Sequence, residues 1–262
     1  MNRLKEAVIS TLKLLLPARI KNSLLHASYH LAPTAFERFV HIYCIGPSMS
    51  VGLQSLADRG FSPSTIVDVG AYEGSWSITA HKVWPSSRIV IIEPNHAKKP
   101  KLSKLAADMG GKFYDDLLGA SCGTIVEFNL METGSSIMSE ISSVERVVEM
   151  RTLTTLDSLR LELNGASNLL KIDAQGYELE ILKGATASLR SFEAVLLEIA
   201  IIEINKGAPL LHEVTAFMAE IGFVASEILE MHRRPLDNAL SQIDVMFVRK
   251  ESPILSDLRY SE

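Results

Sequence analysis

Two groups of residues have types and spacing that could do chemistry. The first is Asp68-Val69-Gly70-Ala71-Tyr72-Glu73-Gly74, which closes the β-branched run Thr65-Ile66-Val67. A glycine at a strand's carboxyl end permits a tight turn and close backbone approach to a ligand. Gly74 is then placed to let the next helix begin against that ligand. The spacing reads Asp-x-Gly-x-x-x-Gly, whereas a dinucleotide fingerprint reads Gly-x-Gly-x-x-Gly. Tyr72 replaces the second glycine of that fingerprint and would crowd a pyrophosphate. A nucleoside-like cofactor without a pyrophosphate fits better. Glu93 ends the next apolar run, Arg88-Ile89-Val90-Ile91-Ile92, where a carboxylate can accept hydrogen bonds from both ribose hydroxyls. Asp115-Asp116 ends a third run, and a carboxylate there could accept from an adenine amine; Asp116 is the preferred candidate. The cofactor set is thus Asp68, Gly70, Tyr72, Gly74, Glu93 and Asp116, with Asp173 beside the group to be transferred.

The second group is Lys171-Ile172-Asp173-Ala174-Gln175-Gly176-Tyr177-Glu178. It reads as a buried strand, a polar elbow and the start of a helix. Ionisable groups gathered at one strand end suit proton abstraction or the binding of a substrate hydroxyl. Asp173 is the first candidate for a base, with Glu198 and Glu178 behind it. Glu178 could cap the new helix or reach back into the cleft. Lys171 could polarise an acceptor or hold the strand end in an ion pair. His81, His96 and His212 are read as incidental. Trp76 flanks the glycine loop, either walling the ligand or packing on the sheet.

These groups need a scaffold that brings strand ends together. From residue 62 onward, short apolar strands alternate with helical stretches. Strands are expected at 65–69, 88–92, 112–114, 124–130, 147–153, 168–173, 194–199, 223–229 and 243–248. Helices are expected at 75–83, 100–109, 177–190 and 209–221. Strands apolar on both faces and flanked by helices argue for a parallel sheet covered on both sides. Residues 1–58 read as a helical appendage, with helices at 4–16, 34–42 and 50–57. The first of these is basic and amphipathic. It suits contact with an anionic membrane surface, or packing on the main domain or on a second subunit. The domain proper is expected at 59–250, with a tail at 251–262.

Composition narrows the classes. The 262 residues are 47% hydrophobic with a formal net charge of −5, which does not suit a general nucleic-acid binder. Residues 1–45 carry six basic and two acidic side chains, so they differ in character from the rest. Cys44 and Cys122 do not make a disulfide framework, and no zinc-spaced Cys/His cluster occurs, so no metal is expected. No run approaches the ~20 apolar residues of a membrane span. A cytoplasmic location is expected.

The Lys171–Ala185 block resembles that of the FkbM family of S-adenosylmethionine-dependent methyltransferases, which reads Lys-Ile-Asp-Val-Glu/Gln-Gly-x-Glu-x-x-x-Leu-x-Gly-Ala. Gln175 stands where many members carry glutamate. Thr154-Thr155-Leu156-Asp157-Ser158-Leu159, Gly134-Ser135-Ser136, Glu198, Gly222-Phe223 and Gln242–Val248 also have counterparts. The resemblance covers roughly residues 60–250. It implies a Rossmann-like class I methyltransferase fold with a mostly parallel seven-stranded sheet and helices on both faces. It implies S-adenosylmethionine as cofactor and methyl transfer to a hydroxyl of a sugar, glycan or secondary metabolite. Two other readings share parts of this pattern. A nicotinamide-dependent oxidoreductase shares the ribose-binding acid, but no Tyr-x-x-x-Lys pair occurs. A non-catalytic module of the same fold would not need Asp173.

Overall fold

The computed structural model describes residues 47–131, 135–139, 146–165, 167–257 and 259. The expected helices at 4–16 and 34–42, and Cys44, lie outside them. Among the described residues no helix is long and apolar enough to cross a membrane.

Seven strands form the main sheet: β1 (Thr65–Val69), β2 (Arg88–Ile92), β3 (Phe113–Tyr114), β7 (Leu169–Ile172), β8 (Ala194–Ala200), β9 (Phe223–Arg233) and β10 (Leu240–Arg249). Their order is β3-β2-β1-β7-β8-β10-β9. Pairings from β3 through β8 are parallel, and β10 runs antiparallel to both neighbours. This is the doubly wound, mostly parallel sheet expected of a Rossmann-like methyltransferase. The chain lays down β1, β2 and β3 in one direction, then returns to place β7 on the other side of β1. The β1/β7 boundary is therefore the switch point, where ligands bind in such sheets.

Successive residues of the central strands feed two separate cores. Val67, Val90, Leu170 and Val195 face α4 (Glu178–Lys183) and α5 (Leu211–Glu220). Ile66, Ile89, Leu169 and Leu196 face α1 (Met49–Asp58), α2 (Ser75–Val83) and α3 (Lys99–Asp108). Both faces are buried, which is why these strands read as unbroken apolar runs.

A second sheet, β4-β6-β5, is built from β4 (Leu117–Leu118), β5 (Ile125–Leu130) and β6 (Val147–Thr154). The strands expected at 124–130 and 147–153 thus belong to a separate ribbon. Leu117, Phe128 and Leu153 give it a small core of its own.

Three boundaries differ from expectation. The compact unit begins at Pro47 rather than 59, because α1 buries Leu53 and Leu56 in the core. The helix expected over 177–190 stops at Lys183 and resumes as a 3-10 turn at Ser188–Ser191. Gly184 lies so close to the small sheet that a Cβ there would meet the Gly119 carbonyl at 2.1 Å. The Asp157 carboxylate then accepts from Ala187 N at 2.9 Å and Ser188 N at 2.7 Å, which turns the chain. Finally, β9 and β10 extend beyond their apolar segments into a charged hairpin closed by Arg234 and Asp237.

Candidate active site

A cavity of about 230 Å³ opens at the switch point. Gly70, Tyr72, Glu93, Asp116, Asp173 and Gln175 are among its lining residues. Gly70 has φ +73, and a Cβ there would lie 1.8 Å from the Asp173 carbonyl oxygen. The loops after β1 and β7 therefore touch, and only glycine permits it.

Glu93 forms one wall and is 5% exposed. Its Oε2 accepts from Tyr72 N at 2.8 Å and its Oε1 from Asn95 N at 2.9 Å. Both oxygens are fixed by backbone donors yet keep lone pairs for a ligand. Burial pushes its pKa up, against the pull of the two backbone N–H groups. Tyr72, in the left-handed region at φ +50, carries Lys98 Nζ 4.3 Å from its ring centre. Asp116 also lines the cavity, and its carboxyl is raised by burial and by the charge of Asp115. Asp115 turns away to Lys99, at 2.7 Å.

Beneath the floor lies a charged layer. Asp68 is fully buried and does not line the cavity. It accepts from Ser77 Oγ at 2.6 Å and pairs with Lys171 Nζ at 3.2 Å. Lys171 also donates to the Gly70 carbonyl at 3.2 Å and pairs with Asp173 Oδ2 at 3.3 Å. It thus joins the two ligand loops from below, the ion-pair role among the two open to it. Burial opposes its charge, but Asp173 and Asp68 outweigh that and hold it protonated. Gly74 is likewise not a ligand contact. It begins α2, and a Cβ there would meet Leu105 Cδ2 at 2.3 Å, so it serves helix packing.

Asp173 is the catalytic candidate that faces the cavity. Burial works to raise its pKa, but Lys171 and Gln175 hold it below the ordinary value. Gln175 Nε2 donates to Asp173 Oδ1 at 2.9 Å and to Glu198 Oε2 at 2.6 Å. Gln242 Nε2 donates to the same Glu198 oxygen at 2.9 Å. Glu198 is raised well above the usual range by burial and by neighbouring Asp173, Asp244 and Glu178. The two carboxyls are thus pushed in opposite directions, Asp173 down and Glu198 up, the division expected of groups handling one proton.

Glu178 does not reach the cleft. It is 3% exposed, and its carboxyl turns back to accept from Ala174 N at 2.9 Å and Gly176 N at 3.1 Å. Burial pushes its pKa up to about 7. Ser136 Oγ donates to the Gln175 carbonyl at 3.0 Å, and Asn205 Nδ2 donates to it at 2.9 Å. The elbow is held from three sides, with Gln175 in the left-handed region at φ +54. That conformation is costly for a residue with a side chain and persists because its surroundings impose it.

Residues 68–225 match the family model of the methyltransferase FkbM domain. The chain belongs to the FkbM methyltransferase family. No curated protein matches it significantly in sequence. Solved structures with a similar outline include a precorrin-6y C5,15-methyltransferase from Geobacter metallireducens. It is 13% identical at a TM-score of 0.42, over 77% of this chain and 87% of that one. Another is a magnesium protoporphyrin IX methyltransferase from Synechocystis with bound S-adenosylmethionine. It is 14% identical at 0.42, over 87% and 96%. A third is the 1,6-didemethyltoxoflavin-N1-methyltransferase from Burkholderia thailandensis with bound S-adenosylhomocysteine. It is 10% identical at 0.42, over 89% and 91%.

In this FkbM domain the matched block builds both the ion-pair layer and the elbow. Ser77, Asn95 and Asn205 were not among the sequence candidates, and Gln242 had a signal only through the family's closing segment. Each acts through a partner distant in sequence or through the backbone, so spacing alone does not signal it. Ser136 had a signal only through the family's serine loop. His96 pairs with Asp115 at 3.6 Å, and neither His81 nor His212 lines the cavity. Trp76 donates to Met49 Sδ at 3.3 Å and packs toward α1 rather than the ligand.

Proposed function

We propose that the protein transfers a methyl group from S-adenosylmethionine to a hydroxyl of a sugar, glycan or secondary metabolite, as a cytoplasmic enzyme. The observation that carries this reading is that Glu93 and Asp173 line one cavity at the switch point. Glu93 has the geometry to accept from ribose hydroxyls, because its oxygens are already aimed by Tyr72 N and Asn95 N. Asp116 lines the same cavity and suits the adenine amine. The crowding Tyr72 side chain suits a cofactor without a pyrophosphate. The residues present therefore fit this cofactor.

When bound, the cofactor supplies a methyl group on a good leaving group, so positioning supplies much of the rate. The chain's own part is to hold the acceptor hydroxyl in line and to take its proton. Asp173 is ionised by its pairing with Lys171 and is the one to accept it. With the cofactor held at Glu93 and Asp116 and supplying its methyl on the sulfonium leaving group, Asp173 would take the proton of the acceptor hydroxyl as that oxygen is methylated. Glu198 is bridged to Asp173 through Gln175, and burial and its acidic neighbours push its carboxyl well above the usual range, which disfavours a second negative charge beside the reacting oxygen.

The test is incubation with methyl-labelled S-adenosylmethionine and cell extract, followed by identification of the labelled product. Label in a methyl ether of a hydroxylated compound is expected. Binding of NADH without binding of S-adenosylmethionine would sink the reading. Cofactor binding with no transfer to any fraction would favour the non-catalytic module.

A further inference from the structure

The main sheet carries a row of carboxylates that runs on from the methyl-transfer site across β10 to β9. In register, Glu198 of β8 stands opposite Asp244 of β10, and Asp244 stands opposite Glu230 of β9. Like charges placed directly opposite across strands are destabilising. Lys171 offsets Asp173 at one end of the row, but it does not reach β9 or β10. At the other end, Asp244 is 6% exposed and pairs with His232 Nε2 at 2.7 Å. Among the described residues Glu230 has no ion pair. His232 and Glu230 are two apart on β9, so their side chains leave the same face of the strand. Pairing shifts register on both sides of the set, between Leu240 and Gln242 and between Asp244 and Val245. Such bulges re-aim side chains and are frequent beside functional sites.

We propose that Glu230, His232 and Asp244 form a binding site for one divalent transition-metal cation. One ligand atom from each lies within 4.8 Å of the other two. Ligand atoms around one ion at about 2.1 Å stand about 3–4 Å apart. Rotation of the partly exposed Glu230 and His232 side chains closes that difference around the buried Asp244. One imidazole and two carboxylates select a borderline ion such as Mn²⁺, Fe²⁺ or Zn²⁺. Mg²⁺ and Ca²⁺ prefer oxygen ligands alone. The two carboxylates balance the ion's charge, and the ion removes the repulsion between Asp244 and Glu230, which stand opposite each other. The site lies one strand beyond Glu198, on the side of the sheet away from Glu93. Glu230, His232 and Asp244 are not among the residues lining the cavity, so an ion there would take a second oxygen of an acceptor that extends past the cavity from Asp173. That role rests on the methyl-transfer reading; the binding itself does not.

The experiment uses the full chain, stripped with a chelator and titrated with Mn²⁺, read by calorimetry and by the loss of the free-ion electron paramagnetic resonance signal. A single saturable site is expected. His232→Ala and Glu230→Gln, both at partly exposed positions, are each expected to weaken it by about 10- to 100-fold. Glu227→Gln, on the same strand, is expected to leave it unchanged. Absence of saturable binding overturns the proposal. So does equal binding by His232→Ala, or Mg²⁺ affinity that matches Mn²⁺, either of which would mark loose association with acidic groups.

Discussion

Lys171 Nζ lies 3.3 Å from Asp173 Oδ2, and the lysine side chain is almost wholly buried. The same ammonium is 3.2 Å from Asp68, so one buried cation pairs with two carboxylates, one on β1 and one just past the end of β7. This pairing ties the chemistry to the fold. It keeps Asp173 ionised, and it holds the loops after β1 and β7 against each other. Replacing Lys171 with methionine preserves volume and removes the charge. Breaking a buried ion pair by deleting one partner leaves an uncompensated charge and costs about 3–5 kcal/mol. Lys171→Met is expected to lose that much in urea unfolding. A loss under about 1 kcal/mol would mean that the pair is solvated and structurally minor.

Asp173 is predicted to be the base. Asp173→Asn keeps the shape but cannot accept a proton. It is expected to lower kcat by at least about 100-fold. Its affinity for S-adenosylhomocysteine, measured by calorimetry, is expected to stay within a few fold of the parent. Because Lys171 lowers the Asp173 pKa, the wild-type base is ionised throughout the neutral range. Activity that depends on it is lost only as pH falls through that depressed value. Near-normal turnover by Asp173→Asn would discard Asp173 as the base.

Much of the scaffold was legible because parallel strands buried on both faces leave a plain signature. Thr65–Val69, Ser75–Val83 and Arg88–Ile92 fall where the apolar runs and helical spacing placed them. The site was legible in position more than in role. Gly70, Tyr72, Glu93, Asp116 and Asp173 all line one cavity, while Asp68 and Lys171 form the layer beneath it. A strand carboxylate can face a ligand or a buried lysine, and sequence spacing does not distinguish the two. Glu178 illustrates the same limit, since a residue two positions past a glycine can reach forward or fold back on the turn. The β9–β10 hairpin was read too short because Glu230, His232 and Arg233 break the apolar alternation. On β9 they stand opposite Asp244, Gln242 and Leu240 of β10, where the hairpin runs on past the apolar core.

Glu93 is predicted to carry cofactor affinity. Its oxygens are fixed by Tyr72 N and Asn95 N, so little ordering cost remains when a ligand donates to them. A hydrogen bond to a charged group contributes about 1.5–3 kcal/mol. Glu93→Ala is therefore expected to weaken S-adenosylhomocysteine binding by more than about 10-fold in calorimetry. Burial raises the Glu93 pKa, so affinity should also fall as pH drops through that raised value, a trend absent in the alanine variant. Unchanged affinity would remove Glu93 from the site.

Glu178 is predicted to make stability depend on pH. Its carboxyl is raised by burial from 4.5 to about 7 in the folded protein. Below pH 4.5 it is protonated in both states and imposes no penalty. Between that value and about 7 the unfolded chain gives up the proton while the folded chain keeps it, so the folded state binds more protons and stability falls as pH rises. Above about 7 the penalty is constant. A shift of this size corresponds to on the order of 3 kcal/mol across the window. Glu198 and His232 are raised as well and contribute slopes of the same sign, so the comparison must be made against a variant. Glu178→Gln removes this titration while filling the same space. It also turns an amide N–H toward one of the Ala174 and Gly176 donors, so it should be less stable at acid pH, where the parent suffers no penalty. The informative quantity is therefore the slope of unfolding free energy against pH between about 4.5 and 7, from urea melts. That slope is expected to be shallower in Glu178→Gln than in the parent. Parallel slopes would show that Glu178 titrates with an ordinary pKa and is reached by water through the elbow.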